Sequence, residues 1–168
     1  MGKIVGVIPA RYASTRFPGK PLANIHGKPM IWWVYNQVKK ASKIDEIYVA
    51  IDDERIAKVC KKHHINFQVT SPNHKTSTER VNEIASLVEG TVYVCVNGDE
   101  PLIDPKVIDA IVPASLDGFF AANIMTEIKN PVEVVDNTNI KVVTDESSNA
   151  IFMSRSPIPY PRANMNFA

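Results

Sequence analysis

The chain has 168 residues, 45% of them hydrophobic and 22% charged, with a formal net charge of +1. That length suits one domain whose core buries about 70% of the unfolded surface, and the near-neutral balance excludes a general nucleic-acid or membrane-surface binder. Any positive field must therefore be local.

Lys3 to Ile8 reads as a buried parallel strand entered directly from the amino terminus, without the regions of a signal peptide. The segment leaving it, Ile8-Pro9-Ala10-Arg11-Tyr12-Ala13-Ser14-Thr15-Arg16-Phe17-Pro18-Gly19-Lys20-Pro21-Leu22, sets three cations, two hydroxyls and a glycine just past the carboxyl end of that strand. Ligands of open α/β sheets bind there. Arg11, Arg16 and Lys20 can converge on one polyanion while Pro18-Gly19 bends the backbone towards it, and a triphosphate fits best. Neither the Gly-Lys-Ser/Thr nor the Gly-x-Gly-x-x-Gly phosphate motif is present. Asn24 to Gly27 is a tight turn, and Pro29 opens a helix carrying Met30, Ile31, Val34, Val38 and Ala41 at helical spacing.

Glu46 to Ile51 forms a second strand, and Asp52-Asp53 can cap the next helix, whose buried face is Ile56, Val59 and Cys60. His63-His64 reads as that helix's solvated end. Asn66 to Thr70 is a short third strand, followed by a helix from Ser77 or Thr78, either of which could cap it, to Val88. Thr91 to Val96 has the pattern of a central strand covered on both faces, with Cys95 inside it. Cys60 and Cys95 are expected as buried thiols of a reducing compartment, the cytoplasm, and no apolar run is long enough to cross a bilayer. Pro105 starts a helix through Val112, Phe119 to Met125 is a further strand, and Asn139 to Thr144 pairs with Asn149 to Ser154 as a hairpin. The chain stops directly after this run, so an interrupted domain is expected.

Strands alternating with helices indicate an α/β fold: a Rossmann-like, open three-layer α/β/α arrangement on a mostly parallel, mixed sheet, forming one domain over residues 1–168. Right-handed crossovers would gather the loops at Arg11, Ser77 and Asp99 on one sheet edge. Asp99, at the end of the Val96-Asn97-Gly98-Asp99-Glu100-Pro101 run, is the natural ligand for a hard cation such as Mg2+, which takes one or two carboxylates plus phosphate oxygens. Gly98 would let the backbone approach a ligand, and Glu100 could orient the loop. In His74-Lys75-Thr76-Ser77-Thr78-Glu79-Arg80, a helix start beside a guanidinium could donate to a base carbonyl or a phosphate, or serve only as a cap and a surface charge. Arg155 and Arg162 sit on a proline-stiffened segment suited to a carboxylate or to a plain surface edge, and Lys141 could face solvent or a pocket.

With these residues in view, the chain resembles the 3-deoxy-manno-octulosonate cytidylyltransferases, or CMP-Kdo synthetases, of the sugar nucleotidyltransferase superfamily. The resemblance covers essentially the whole chain. It rests on the Ile8–Leu22 motif, Gly27-Lys28-Pro29-Met30, Thr78-Glu79-Arg80, Gly98-Asp99-Glu100-Pro101 and Ser154-Arg155-Ser156-Pro157-Ile158-Pro159. It implies the nucleotide-diphospho-sugar transferase fold and a reaction in which the anomeric hydroxyl of an acidic keto-sugar (Kdo) attacks the α-phosphorus of CTP. CMP-Kdo for lipopolysaccharide or capsule and pyrophosphate would result. Arg11, Arg16, Lys20 and Asp99 would be the catalytic group, and Ala10, Arg11, Ser14, Thr15, Arg16, Lys20, Ser77 and Arg80 would bind the nucleotide. Asn97, Arg155 and Arg162 would face the sugar, and Asp99 would hold Mg2+. A cytoplasmic homodimer without nucleic-acid or membrane partners is expected.

Asn97 stands where the family usually has Gln, and Thr76-Ser77-Thr78 where it has Ser-Gly-Thr. These departures keep open a related acidic or amino sugar, or an inactive nucleotide-binding paralogue. Family members also continue past position 168 with a second metal-binding Asp, so CTP binding with impaired turnover is expected.

Overall fold

The computed structural model of the chain describes residues 2–13, 17–118 and 120–160. These fall into two compact units, 1–122 and 123–168. In the first, β1 (Ile4–Ala10) leads through a 3-10 turn at Lys20–Leu22 to the hairpin of β2 (Asn24–Ile25) and β3 (Lys28–Pro29). There follow α1 (Met30–Val38), β4 (Glu46–Ile51), α2 (Glu54–Lys62), β5 (Phe67–Val69), α3 (Ser77–Leu87), β6 (Val92–Cys95) and α4 (Pro105–Ile111). The main sheet is wholly parallel, in the order β5-β4-β1-β6.

Alternation along β1 builds the layers. Ile4, Ile8 and Ala10 point to one face, where α1, α2 and α4 supply Ile31, Val34, Val38, Ile56, Cys60 and Ile108. Val5 and Val7 point to the other, where α3 supplies Ile84, with Val81 and Val88 beside it. A strand apolar on both sides needs helices on both sides, and the α/β/α sandwich follows. Ile8, Ile31 and Ile51 are completely buried, so truncating any of them to Ala costs about 2–5 kcal/mol through lost transfer energy and the cavity left behind.

Three expectations about the elements need correction. The apolar run ending at Cys95 is the outer strand of this sheet among the described residues, and β1 holds the interior position. Side-chain type marks a strand, whereas crossovers decide its place. Cys95 accordingly lies exposed, while Cys60 is buried and its thiol is pushed by that burial up to about 11. The segment predicted as a strand from Phe119 to Met125 has no regular structure over its described residues, and Phe120, Ile124 and Met125 are exposed. A strand needs a neighbour for its backbone donors and acceptors, and among the described residues none pairs with this segment.

The second unit contains α5 (Pro131–Val135), unforeseen in the sequence, and a hairpin of β7 (Lys141–Thr144) and β8 (Ala150–Ser154) whose turn is organised by Asp145. Asn130 caps α5 through the backbone N–H of Val132. Lys141 does not face solvent: it is 5% exposed and donates to the carbonyls of Asp136, Asn139 and Arg155. No described helix is long and apolar enough to cross a membrane.

Candidate nucleotide-binding site

Carboxyl ends of parallel strands present backbone and side chains to whatever lies beyond the sheet. Here β1 and β6 end side by side, and the segments that follow them line an open cleft of about 240 Å³. Pro9 and Ala10 of β1 with Arg11 just after it, Asn97, Gly98 and Asp99 after β6, Lys20 and Pro21 from the 3-10 turn, and residues 74–77 with Arg80 of α3 form its walls. The expected gathering of the Arg11, Ser77 and Asp99 loops on one edge is thus present.

Two glycines shape this floor for different reasons. A Cβ on Gly98 would lie 2.7 Å from the carbonyl oxygen of Pro9, so the chain after β6 lies hard against the end of β1. Its closest constraint is the neighbouring backbone, and it also lines the cleft. Gly19 adopts φ 69° and donates its N–H to the carbonyl of Tyr12 at 2.9 Å, closing the base of the cationic loop.

Across the cleft Lys20 Nζ lies 2.5 Å from Asp99 Oδ2, both side chains being partly exposed. The pairing puts the cation of the first loop and the carboxylate of the β6 loop face to face. Glu100, expected to orient the loop, accepts from the side-chain amide of Asn97 at 2.8 Å, a contact within that loop.

The opposite wall is α3. Its cap is Thr76, not Ser77 or Thr78: Thr76 Oγ1 accepts from the N–H of Glu79, whose carboxylate accepts in return from the backbone N–H of Thr76. This reciprocal box satisfies helix donors that would otherwise be orphaned and leaves Ser77 on the cleft. The preceding loop is held by Glu83, which accepts from the Ser71 N–H at 2.8 Å and contacts His74 Nε2. These two bonds hold the Glu83 carboxyl below the usual carboxylate range, the Ser71 N–H contributing most.

Arg80 is 3% exposed and is no surface charge. Its Nη2 donates to Asp52 Oδ2 at 3.0 Å, and its Nη1 donates to Thr70 Oγ1, which in turn donates to the carbonyl of Ile51. A buried guanidinium requires such partners. The sequence reading missed Asp52 and Thr70. Asp52 directly follows β4 as Asp99 follows β6, so the strand-end argument applied to Asp99 would have found it.

Ser14, Thr15, Arg16 and Arg162 lie outside the described residues. Arg155 belongs to the second unit, where its Nη1 donates to the carbonyls of Asn137 and Thr138. Asp53, read as a cap, is one: its carboxylate accepts from the Arg55 N–H and pairs with that guanidinium, which lowers its pKa to about 2.

Among curated proteins, the chain is 43% identical over 166 residues to a 3-deoxy-manno-octulosonate cytidylyltransferase of Geobacter metallireducens, covering 98% of this chain and 65% of the relative. It is 47% identical over 161 residues to one of Syntrophotalea carbinolica, covering 95% and 64%. The chain thus spans slightly less than two thirds of the length of such relatives. A solved CMP:2-keto-3-deoxy-manno-octonic acid synthetase complexed with CTP superposes with a TM-score of 0.82 at 34% identity, over 95% of this chain and 67% of that one. A cytidylyltransferase of Leptospira borgpetersenii shares the fold at a TM-score of 0.55 and 24% identity, over 70% and 48%. The family model described as cytidylyltransferase matches residues 5–168, spanning both units, and the chain belongs to that family.

Proposed function

We propose that this chain forms the nucleotide-binding part of an enzyme that activates Kdo with CTP, giving CMP-Kdo and pyrophosphate. The observation that carries the reading is the approach of Lys20 to Asp99 across a cleft whose far wall is the capped start of α3 with buried Arg80. The names of relatives sharing 43–47% identity support cytosine and Kdo as the substrates.

In this reading Arg11, Arg16 and Lys20 hold the triphosphate, the region from Ser77 to Arg80 reads the cytosine, and Ala10, Ser14 and Thr15 complete the nucleotide contacts. Asn97, Arg155 and Arg162 serve the acidic sugar, and the two units act as one nucleotidyltransferase domain. The sugar's anomeric oxygen forms a bond to the α-phosphorus as the bond to the departing pyrophosphate breaks. Catalysis is then positioning and charge neutralisation, with no covalent enzyme intermediate.

No group of three or more ligating side chains occurs among the described residues. Among the described residues lining the cleft, Asp99 is the one carboxylate, which fits Mg2+, an ion commonly held by one or two carboxylates plus substrate phosphates. When bound, Mg2+ supplies neutralisation of phosphate charge. A cytoplasmic homodimer belongs to the same proposal.

The test is pyrophosphate release by the chain with CTP, Kdo and MgCl2, run beside other nucleotides and acidic sugars, with the product identified by chromatography. CTP binding with slow CMP-Kdo formation that prefers CTP is expected. Turnover with a different pair, or none accompanied by no CTP binding, refutes the assignment.

A further inference from the structure

Asp52 joins two walls that the chain otherwise builds separately. Its Oδ1 accepts from the backbone N–H of Tyr12 at 3.0 Å, in the loop that carries the cations, and its Oδ2 accepts from Arg80 Nη2 at 3.0 Å, on α3. Its side chain is 10% exposed and that of Arg80 3%.

Each partner is fixed from a further side. The Tyr12 carbonyl accepts from Gly19 N, and the Tyr12 ring lies 3.3 Å beneath the Arg55 guanidinium, itself held by Asp53. Arg80 also donates to Thr70, which is tied to β4 at Ile51. A carboxylate with both oxygens engaged and little water around it cannot lose one partner without disturbing the other.

We infer that Asp52 is a positioning residue that couples the cationic loop to the base-facing helix, so that the phosphates and the base of one nucleotide are recognised jointly. The inference rests on the nucleotide reading of the cleft. It assigns Asp52 no contact with substrate.

Two probes separate the walls: pyrophosphate for the loop and CMP for the helix, each titrated by calorimetry against the whole chain. Asp52→Asn keeps the size and removes the charge. It is expected to weaken both probes by about threefold to tenfold, and CTP by more than either. Asp109→Asn is the control: that carboxylate anchors the Ser42 and Lys43 N–H groups away from the cleft, so its loss lowers stability without moving either probe.

Hydrogen exchange without ligand gives a second readout. Asp52→Asn should lose protection at Tyr12 and in the first turn of α3 together, and Asp52→Glu should restore part of it. A variant that moves only one probe, or neither, overturns the coupling. If both probes respond but turnover occurs only with a different nucleotide and sugar, the proposed reaction fails and the coupling stands. A chain that binds neither probe refutes both.

Discussion

Lys20 and Asp99 form an ion pair across the cleft, and both side chains remain partly exposed. An exposed pair of this kind contributes about 0–1 kcal/mol, so the geometry is better suited to exchange of partners than to stability. Lys20→Ala should therefore leave the melting temperature nearly unchanged while lowering kcat/KM by about 10²–10³, as loss of a preorganised charge at a reacting phosphate does. A drop of under threefold would remove Lys20 from the phosphate clamp. Gly98 makes the opposite case, since its constraint is the Pro9 backbone, which has little room to yield. Gly98→Ala should cost about 1–3 kcal/mol of stability by overpacking and weaken CTP binding by displacing Asp99, measurable by denaturant titration and calorimetry on one preparation.

Among the elements, α3 matters most because its first turn is both a structural end and a wall of the cleft. The Thr76–Glu79 box and the Glu83 bonds to Ser71 and His74 tie the approaching loop to successive turns of the same helix. Thr76→Ala should cost about 1 kcal/mol, seen as a lower melting temperature, and should also raise the Kd for CTP. Thr76→Ser, which keeps the acceptor oxygen, should restore both. The hairpin of the second unit differs in kind: Ile151, Phe152 and Met153 of β8 are exposed, and the buried group is the ammonium of Lys141 on three carbonyls. Those carbonyls satisfy the charge that burial would otherwise penalise.

At the scale of the molecule, several carboxylates of the first unit share one direction of shift. Glu46 is lowered by Lys3 and Tyr48, Asp53 by Arg55 to about 2, Glu83 by the Ser71 N–H and His74, and Asp109 by the Ser42 and Lys43 N–H groups. Carboxylates held below their unfolded values bind protons in the unfolded chain first, so their stabilisation is complete above that range and disappears as pH falls through the folded values. The urea midpoint should be level from about pH 7 to 5 and decline below about pH 4 as unfolded Asp and Glu take up protons. A midpoint unchanged down to pH 3 would contradict these pairings.

What the sequence determined by itself was local: the alternation of strands and helices, the strand limits Glu46 to Ile51, the cap at Asp53, the hairpin around Asp145, and the placement of cations and Asp99 beyond strand ends. Periodicity and turn chemistry report which face of an element is buried and where it stops. They do not name the neighbour across the fold. Only the tertiary structure decided that β1 lies between β4 and β6, that the run around Phe120 pairs with no strand among the described residues, that Gly98 meets Pro9, and that Asp52 holds Tyr12 and Arg80 together. Each of these depends on residues distant in the chain, whose meeting is set by crossover geometry and by the need to satisfy buried charge.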